Sequence, residues 1–233
     1  MTRLAIMQPY FFPYIGYWQL IQAADRFVIY DDVNYINRGW INRNRLLING
    51  EPTLITLPLR QASQNKKICD IDIAPTAEWL KKMLRMVEVT YKKAPYFNDV
   101  FPVIEGVLTY ERSNLADYLA HHLQTMASFM EIETEFVVTS RDYANSQLAA
   151  QERIIDIARR EQADVYINAQ GGKELYDAAS FSQVGIDLRF IAMRPLPYPQ
   201  RGSGFTPYLS IIDALMEVGP KQIRSHLDAY DYV

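Results

Sequence analysis

The chain has one cysteine, Cys69, among 233 residues. A single thiol excludes an internal disulfide and any multi-cysteine zinc site. Histidine is almost as scarce. Of the three present, His121 and His122 are neighbours in a stretch of helical apolar spacing. Adjacent helical residues point about 100° apart, so the pair is poorly placed to share one metal ion. Surplus positive charge is also missing, with 24 Lys and Arg against 27 Asp and Glu and a net charge of −3. Affinity for polyanions rests on such a surplus, so nucleic acid is not an expected partner. No apolar run approaches the roughly 20 residues that span a bilayer, and the start lacks the basic-then-apolar pattern of a secretory signal. The expected location is the cytoplasm, without a membrane span.

What is abundant is aromatic. Sixteen tyrosines are present, and many fall between the periodic segments rather than within them. Leu4–Met7 is a short apolar run, and Ile15 to Ala24 carries apolar residues near helical spacing just after Pro13. Phe27–Tyr30 is a second apolar run, which completes a strand, helix, strand unit. Pro75 to Met130 is helical in spacing, with Thr76 and Ser113 as expected caps and Pro95 and Pro102 bracketing a break before a helix at Val103–Tyr110. Strand character returns at Glu133–Ser140, Asp164–Asn168 and Leu188–Ile191, alternating with helices at Leu148–Glu161 and Leu209–Val218. This alternation predicts one α/β domain over 1–233, a Rossmann-like, mainly parallel sheet with a helical insertion at 75–130. The insertion is equally suited to line a substrate or to form a homodimer interface.

Open parallel sheets bind ligands outside the carboxyl ends of their strands. Four segments at such ends carry unusual residues. The first, Gln8 to Tyr14, holds two prolines and four aromatics. The second, Asp31 to Asn44, is dense in recognition groups: Tyr35, Arg38, Trp40, Asn42, Arg43 and Asn44, with Arg45 next. Asn49-Gly50 marks a hairpin turn, so this segment is expected to run into its first arm. Period-two alternation would then set Trp40, Asn42 and Asn44 opposite Ile41, Arg43 and Arg45, and only one of the two faces could line a site. The third, Gln170 to Tyr176, contains Gly171, Gly172 and Lys173, a glycine pair expected to open a helix and aim free N–H groups at an anion. The fourth, Tyr198 to Tyr208, belongs to a proline-and-glycine loop. Asp31 or Asp32 is the expected general base or Mg²⁺ ligand, with strand alternation allowing only one of the two into the site. Cys69, with no partnering base beside it, is read as structural.

Three blocks carry a resemblance: Met7-Gln8-Pro9-Tyr10-Phe11-Phe12-Pro13-Tyr14-Ile15-Gly16-Tyr17; Tyr30-Asp31-Asp32-Val33 with Gly39-Trp40-Ile41-Asn42-Arg43-Asn44; and Pro207-Tyr208-Leu209-Ser210-Ile211-Ile212-Asp213. Together they resemble the WbqC-like family across essentially the whole chain. That resemblance implies a role in bacterial surface-polysaccharide or O-antigen assembly, with transfer of glycine or a similar acyl group to a sugar as one suggested activity. Pro13 to Tyr17 is also distantly similar to the first strand-helix turn of nucleotidylyltransferases, which carry histidine-x-glycine-histidine there. Gly16 is kept, while Tyr14 and Tyr17 replace both phosphate-binding histidines. A phenol donates a hydrogen bond but brings no positive charge at neutral pH, so the charge would have to come from Arg38, Arg43, Arg45 or Lys173.

The expectation that follows places ATP or a nucleotide sugar, with Mg²⁺, over Gly16 and the first helix's N-terminus, clamped by Arg43 and Arg45. Gln8, Tyr35, Asn42 and Asn44 would read sugar hydroxyls, and Trp40 or Tyr198 would face a ring. The alternatives are a nucleotide-sugar binding subunit without catalysis, and a nucleotidylyltransferase-like enzyme with altered phosphate-binding residues.

Overall fold

The computed structural model describes residues 1–194, 197–202 and 204–233. Pro195, Leu196 and Ser203, which belong to the expected proline-and-glycine loop, lie outside the described residues. Strand β1 (Arg3–Met7) is followed by α1 (Ile15–Ala23), β2 (Arg26–Ile29), the hairpin β3 (Arg43–Ile48) and β4 (Glu51–Thr56), and a small pair, β5 (Leu59–Arg60) and β6 (Asp72–Ile73). Helices α2 (Ala77–Tyr91), α3 (Phe97–Leu108) and α4 (Leu115–Phe129) come next, then β7 (Glu135–Val137), α5 (Ala150–Arg160), β8 (Val165–Ala169), α6 (Ala178–Ser182), β9 (Asp187–Met193), α7 (Ile211–His226) and β10 (Tyr230–Tyr232).

The main sheet has the order β10-β9-β8-β1-β2-β7, parallel throughout except for β10 on one edge. The Rossmann-like expectation is borne out. Helices cover both faces, so the central strands are continuously apolar and their alternation shows only in which core each residue enters. Ala5, Phe27, Ile29 and Ile167 join a large cluster with α1, α2, α3, α4 and α7. Leu4, Ile6, Val28 and Tyr166 join a smaller one with Ile154, Ile157 and Ala158 of α5.

From β1 the chain steps outward through β2 to β7, then returns across β1 to β8 and β9. The strand order therefore reverses between β1 and β8. The loops after these two strands diverge there and leave the crevice in which such sheets take ligands.

Several sequence expectations need correction. Pro102 does not break the chain but lies in the second turn of α3, so one intrahelical hydrogen bond is forgone there and the helix runs on. The pair Gly171-Gly172 opens a 3₁₀ turn, Gln170–Leu175, rather than an α-helix. The edge strand β10 escaped notice because three residues, Tyr-Asp-Tyr, are too short for a periodic signal. Asp31 and Asp32 do not point apart, because β2 ends at Ile29 and both aspartates lie beyond the regular alternation.

Both carboxylates instead meet Ser140, in the segment after β7. Asp31 is fully buried and accepts from Ser140 N at 2.9 Å and Thr139 Oγ1 at 2.9 Å, with Arg141 Nε at 3.1 Å. Asp32 takes a short hydrogen bond from Ser140 Oγ and pairs with Arg153 of α5 at 2.5 Å. The Arg153 side chain is 4% exposed and also lies over the Tyr30 ring, 4.8 Å from its centroid. Burial pushes the Asp31 carboxyl up, beyond what the Ser140 and Thr139 bonds recover. For Asp32 burial acts the same way, but the bonds from Ser140 and Arg153 outweigh it and hold the carboxyl below its ordinary value. This network fastens the end of β2 to the end of β7.

An acid whose folded pKa is depressed stabilises the fold above its unfolded value and loses that contribution as pH falls through the folded value. Asp32 therefore contributes fully above about pH 3.8, its ordinary value, and Asp31, being raised, acts in the opposite sense. Replacing Asp32→Asn strands the Arg153 cation and is expected to cost about 3–5 kcal/mol in urea unfolding at pH 7. The variant should also lose part of the wild-type decline in stability below pH 4. An unchanged urea midpoint at pH 7 would show that the pair holds nothing together.

Candidate functional site

The loop between β1 and α1 is built from buried aromatics rather than from turn residues. Phe11 and Phe12 are fully buried, and Phe12 has a positive φ of 42°. Such a backbone persists in a bulky residue only when its surroundings over-determine it. Here they do. Asn44 of β3, itself buried, donates its side-chain amide to Phe11 O at 3.1 Å and Phe12 O at 2.8 Å. Ser210, which caps α7, donates its hydroxyl to Phe12 O at 2.9 Å, and Ile211 N donates to Pro13 O at 3.1 Å. Ser210 N in turn donates to Arg45 O at 2.9 Å. Three segments distant in sequence are thus tied at one point above the β1 end.

Around that point lie three adjoining cavities that share Tyr14 and Tyr208 as walls. The two rings meet edge to face with centroids 5.7 Å apart. Tyr208 is 58% exposed and holds φ at 59°, a second strained residue at the same place. A cavity of about 370 Å³ occupies the point of strand-order reversal and is bounded by Gly16, Gln19, Gln170 and Gly171 with Met193 of β9. A second, of about 290 Å³, lies against Tyr10, Trp40, Asn44 and Arg45. The third, of about 360 Å³, is bounded by Ile15, Met193, Tyr198, Phe205, Pro207, Leu209, Ile211 and Ala214.

Trp40 is 39% exposed, and both arginines lie against it, Arg43 Cζ at 5.8 Å and Arg45 Cζ at 5.5 Å from the ring centroid. The expected separation of Trp40 from the arginines therefore does not hold. Trp40 precedes β3, which starts at Arg43, so strand alternation does not govern it. Arg43 is anchored through Nε to Gly39 O at 2.8 Å and through a short bond to Arg38 O. Arg45 makes one long contact, 3.4 Å to Tyr208 O, and its Nε is buried without a partner. Among the described residues neither guanidinium is paired with a carboxylate. Two cations stacked on one indole and lacking a paired carboxylate leave a surface of unneutralised positive charge.

Other expected site residues have structural partners. The Tyr17 hydroxyl donates to Gln8 O at 2.8 Å beneath the loop. Tyr35 donates to Asn42 Oδ1 at 2.7 Å, and Asn42 donates on to Leu57 O at 2.9 Å, all buried. Gly172 lies close against the Asn168 side chain, whereas Gly171 has open space beside it and Lys173 is exposed on the same turn. Gly16 makes room for a neighbour in its own chain: a Cβ there would stand 2.5 Å from Tyr14 Cε2. The Tyr14 ring thus covers the position where the nucleotidylyltransferase likeness places a phosphate. Burial pushes the Cys69 thiol up to about 11, a range in which it is a poor nucleophile. Among the described residues no group of three or more His, Cys, Asp or Glu is placed to hold a metal ion.

Asp213 was missed by sequence reasoning. It is buried in the first turn of α7 and accepts from Tyr91 at 2.8 Å and Tyr198 at 2.8 Å. Burial pushes its carboxyl up despite these two bonds. It fixes Tyr198, and so one wall of the apolar cavity, against α2 and α7. Its only sequence signal is an acid within the apolar run Leu209–Met216. Removing the Asn44 amide leaves two buried carbonyls without that donor, so Asn44→Ala is expected to cost about 2–4 kcal/mol in chemical denaturation. A change below 0.5 kcal/mol would mean that the other ties hold the loop unaided.

No helix among the described residues is long and apolar enough to cross a membrane. No solved structure matches the chain. The uncharacterized protein Rv1507c of Mycobacterium tuberculosis is 29% identical over 222 residues, covering 94% of this chain and 95% of that one. The family model for WbqC-like proteins matches residues 8–225, a span that contains the tied loop, the Trp40 arginines and the start of α7. The chain belongs to the WbqC-like protein family.

Proposed function

We propose that this protein is a transferase of bacterial surface-glycan assembly that moves glycine or a similar acyl group onto a sugar, with a phosphate-containing donor or activated intermediate at Arg45, beside the crevice between β1 and β8. One observation carries the reading. In the cavity that adjoins this crevice across Tyr14 and Tyr208, Arg45, with Arg43 beside it, stacks on Trp40 without a carboxylate to neutralise it. A phosphate there receives a bidentate guanidinium fork from Arg45. Lys173, exposed on the turn that carries Gly171, is the further cation that this reading assigns to the donor. Asp31 and Asp32 act in this reading as positioning residues that hold the segment leading to Trp40. Tyr14 covers the helix N-terminus, which favours the arginine side for the phosphate over the position taken by a nucleotidylyltransferase.

A second reading, a nucleotide-sugar binding subunit without turnover, has one observation in its favour. Among the described residues no Asp or Glu lines any of the three cavities, so no general base stands next to the ligand space. Acylated sugar as a product separates the first reading from binding alone, and pyrophosphate release marks an adenylylating enzyme.

The direct check is a thermal-shift panel of ATP, a UDP-sugar and an acyl-CoA on wild type and Arg45→Ala. A ligand of the folded state raises the melting temperature by mass action. At least one donor should do so for wild type, and Arg45→Ala should bind it about tenfold or more weakly while keeping its unliganded melting temperature within a few degrees. Equal shifts in both proteins would remove the arginine from the site.

A further inference from the structure

The cavities on either side of the Tyr14–Tyr208 pair differ in chemistry. The 360 Å³ cavity is walled by Ile15, Met193, Phe205, Leu209 and Ile211 among others, and among the described residues no charged side chain faces it. Among those residues its polar side-chain oxygens are three tyrosine hydroxyls, those of Tyr14 and Tyr208 on the shared wall and that of Tyr198. The Tyr198 hydroxyl is committed to Asp213 at 2.8 Å, and the Tyr198 ring packs edge to face on Phe205 at 5.4 Å. A pyranose placed there would bury several hydroxyls without partners, each at a desolvation cost, whereas an acyl chain or an aromatic ring would lose nothing. On the other side of the same tyrosines lie Arg45 and Trp40. The crevice therefore offers a cationic seat and an apolar seat that share a wall. The third cavity, with Gln19, Gln170 and the open backbone of Gly171, is the one that can meet hydroxyl groups.

We infer that the ligand of the Arg45 site is a phosphate monoester or diester carrying an apolar group, alkyl or aryl, that enters the cavity bounded by Phe205, Leu209 and Ile211, and that a sugar moiety is excluded from that cavity. This deepens the donor site proposed above and rests on it. The sugar then approaches from the Gly171 side, and Tyr14 and Tyr208 separate the two substrates. Tyr208, exposed and held at positive φ, is the residue that sets the width of the passage between them.

Isothermal titration of the whole protein with inorganic phosphate, glucose 1-phosphate, phenyl phosphate and octyl phosphate tests this. The expected order places phenyl or octyl phosphate about tenfold or more tighter than glucose 1-phosphate, an advantage of the size that burying a few apolar carbons gives. Comparison of the last two ligands tells an aryl from an alkyl occupant. Phe205 is 41% exposed, so Phe205→Ser should fold normally. It should weaken the preferred ester about fivefold or more while leaving inorganic phosphate within about twofold. Glucose 1-phosphate binding as tightly as the apolar esters, or an ester affinity untouched by Phe205→Ser, would overturn the apolar seat alone. Failure of all four phosphates to bind would overturn the donor site and this inference together.

Discussion

A single side-chain amide organises the region that matters. Asn44 lies in β3, outside the main sheet, yet it donates to the carbonyls of Phe11 and Phe12 and so decides where the chain goes after β1. Without such a partner Phe11 O would lose its side-chain donor and Phe12 O would keep only the Ser210 hydroxyl, which leaves the positive φ of Phe12 with less to sustain it. With it, Pro13 is placed to receive Ile211 N, Ser210 reaches Phe12, and Tyr14 is left standing over Gly16. Three walls around the crevice meet at that tie: the Tyr14 ring from the first segment, Arg45 from the hairpin, Tyr208 from the approach to α7.

The charged groups are sorted by the same architecture. Where β2 and β7 end, Asp31 and Asp32 are met by Ser140, Arg141 and Arg153, and the charges neutralise one another in a buried network. Beside β1, Arg43 and Arg45 have an indole and backbone carbonyls for company and no acid. The first arrangement is closed and structural in kind, and the second is open and leaves positive potential facing a cavity. Elsewhere the interior accepts isolated polar atoms. His122 is buried against Phe12, 4.4 Å between ring centroids, with neither nitrogen bonded among the described residues, and burial pushes its pKa down to about 3. It is a neutral core residue that backs the loop.

Much of this was legible in the sequence. Alternating apolar runs and helical periodicity gave a parallel sheet, and the positions of Tyr14, Trp40, Arg45, Gly171, Tyr198 and Tyr208 at strand ends were enough to gather them in one crevice. Pairing was less legible, because pairing depends on partners far away in the chain. Nothing local distinguishes Asn44, which holds a loop, from an amide that reads a sugar. Nothing local says that the room made by Gly16 is taken by Tyr14, or that Asp31 and Asp32 meet a serine more than a hundred residues later. The alternation rule misled at Trp40 and at the two aspartates for one reason: it applies within strands, and these residues lie just outside them. Asp213 was hidden by its surroundings, since an acid in an apolar run is noticed only when the two tyrosines that bond it are seen.

The central claim is that the ligand anion sits at Arg45 beside Trp40 and between Tyr14 and Tyr208. A crystal structure of the protein soaked with phenyl phosphate tests it most directly. The account predicts phosphate oxygens within about 3 Å of the Arg45 guanidinium, with the ring turned toward Phe205 and Ile211. A phosphate seated instead on the α1 N-terminus, with Tyr14 swung away from Gly16, would contradict the account and restore the nucleotidylyltransferase geometry.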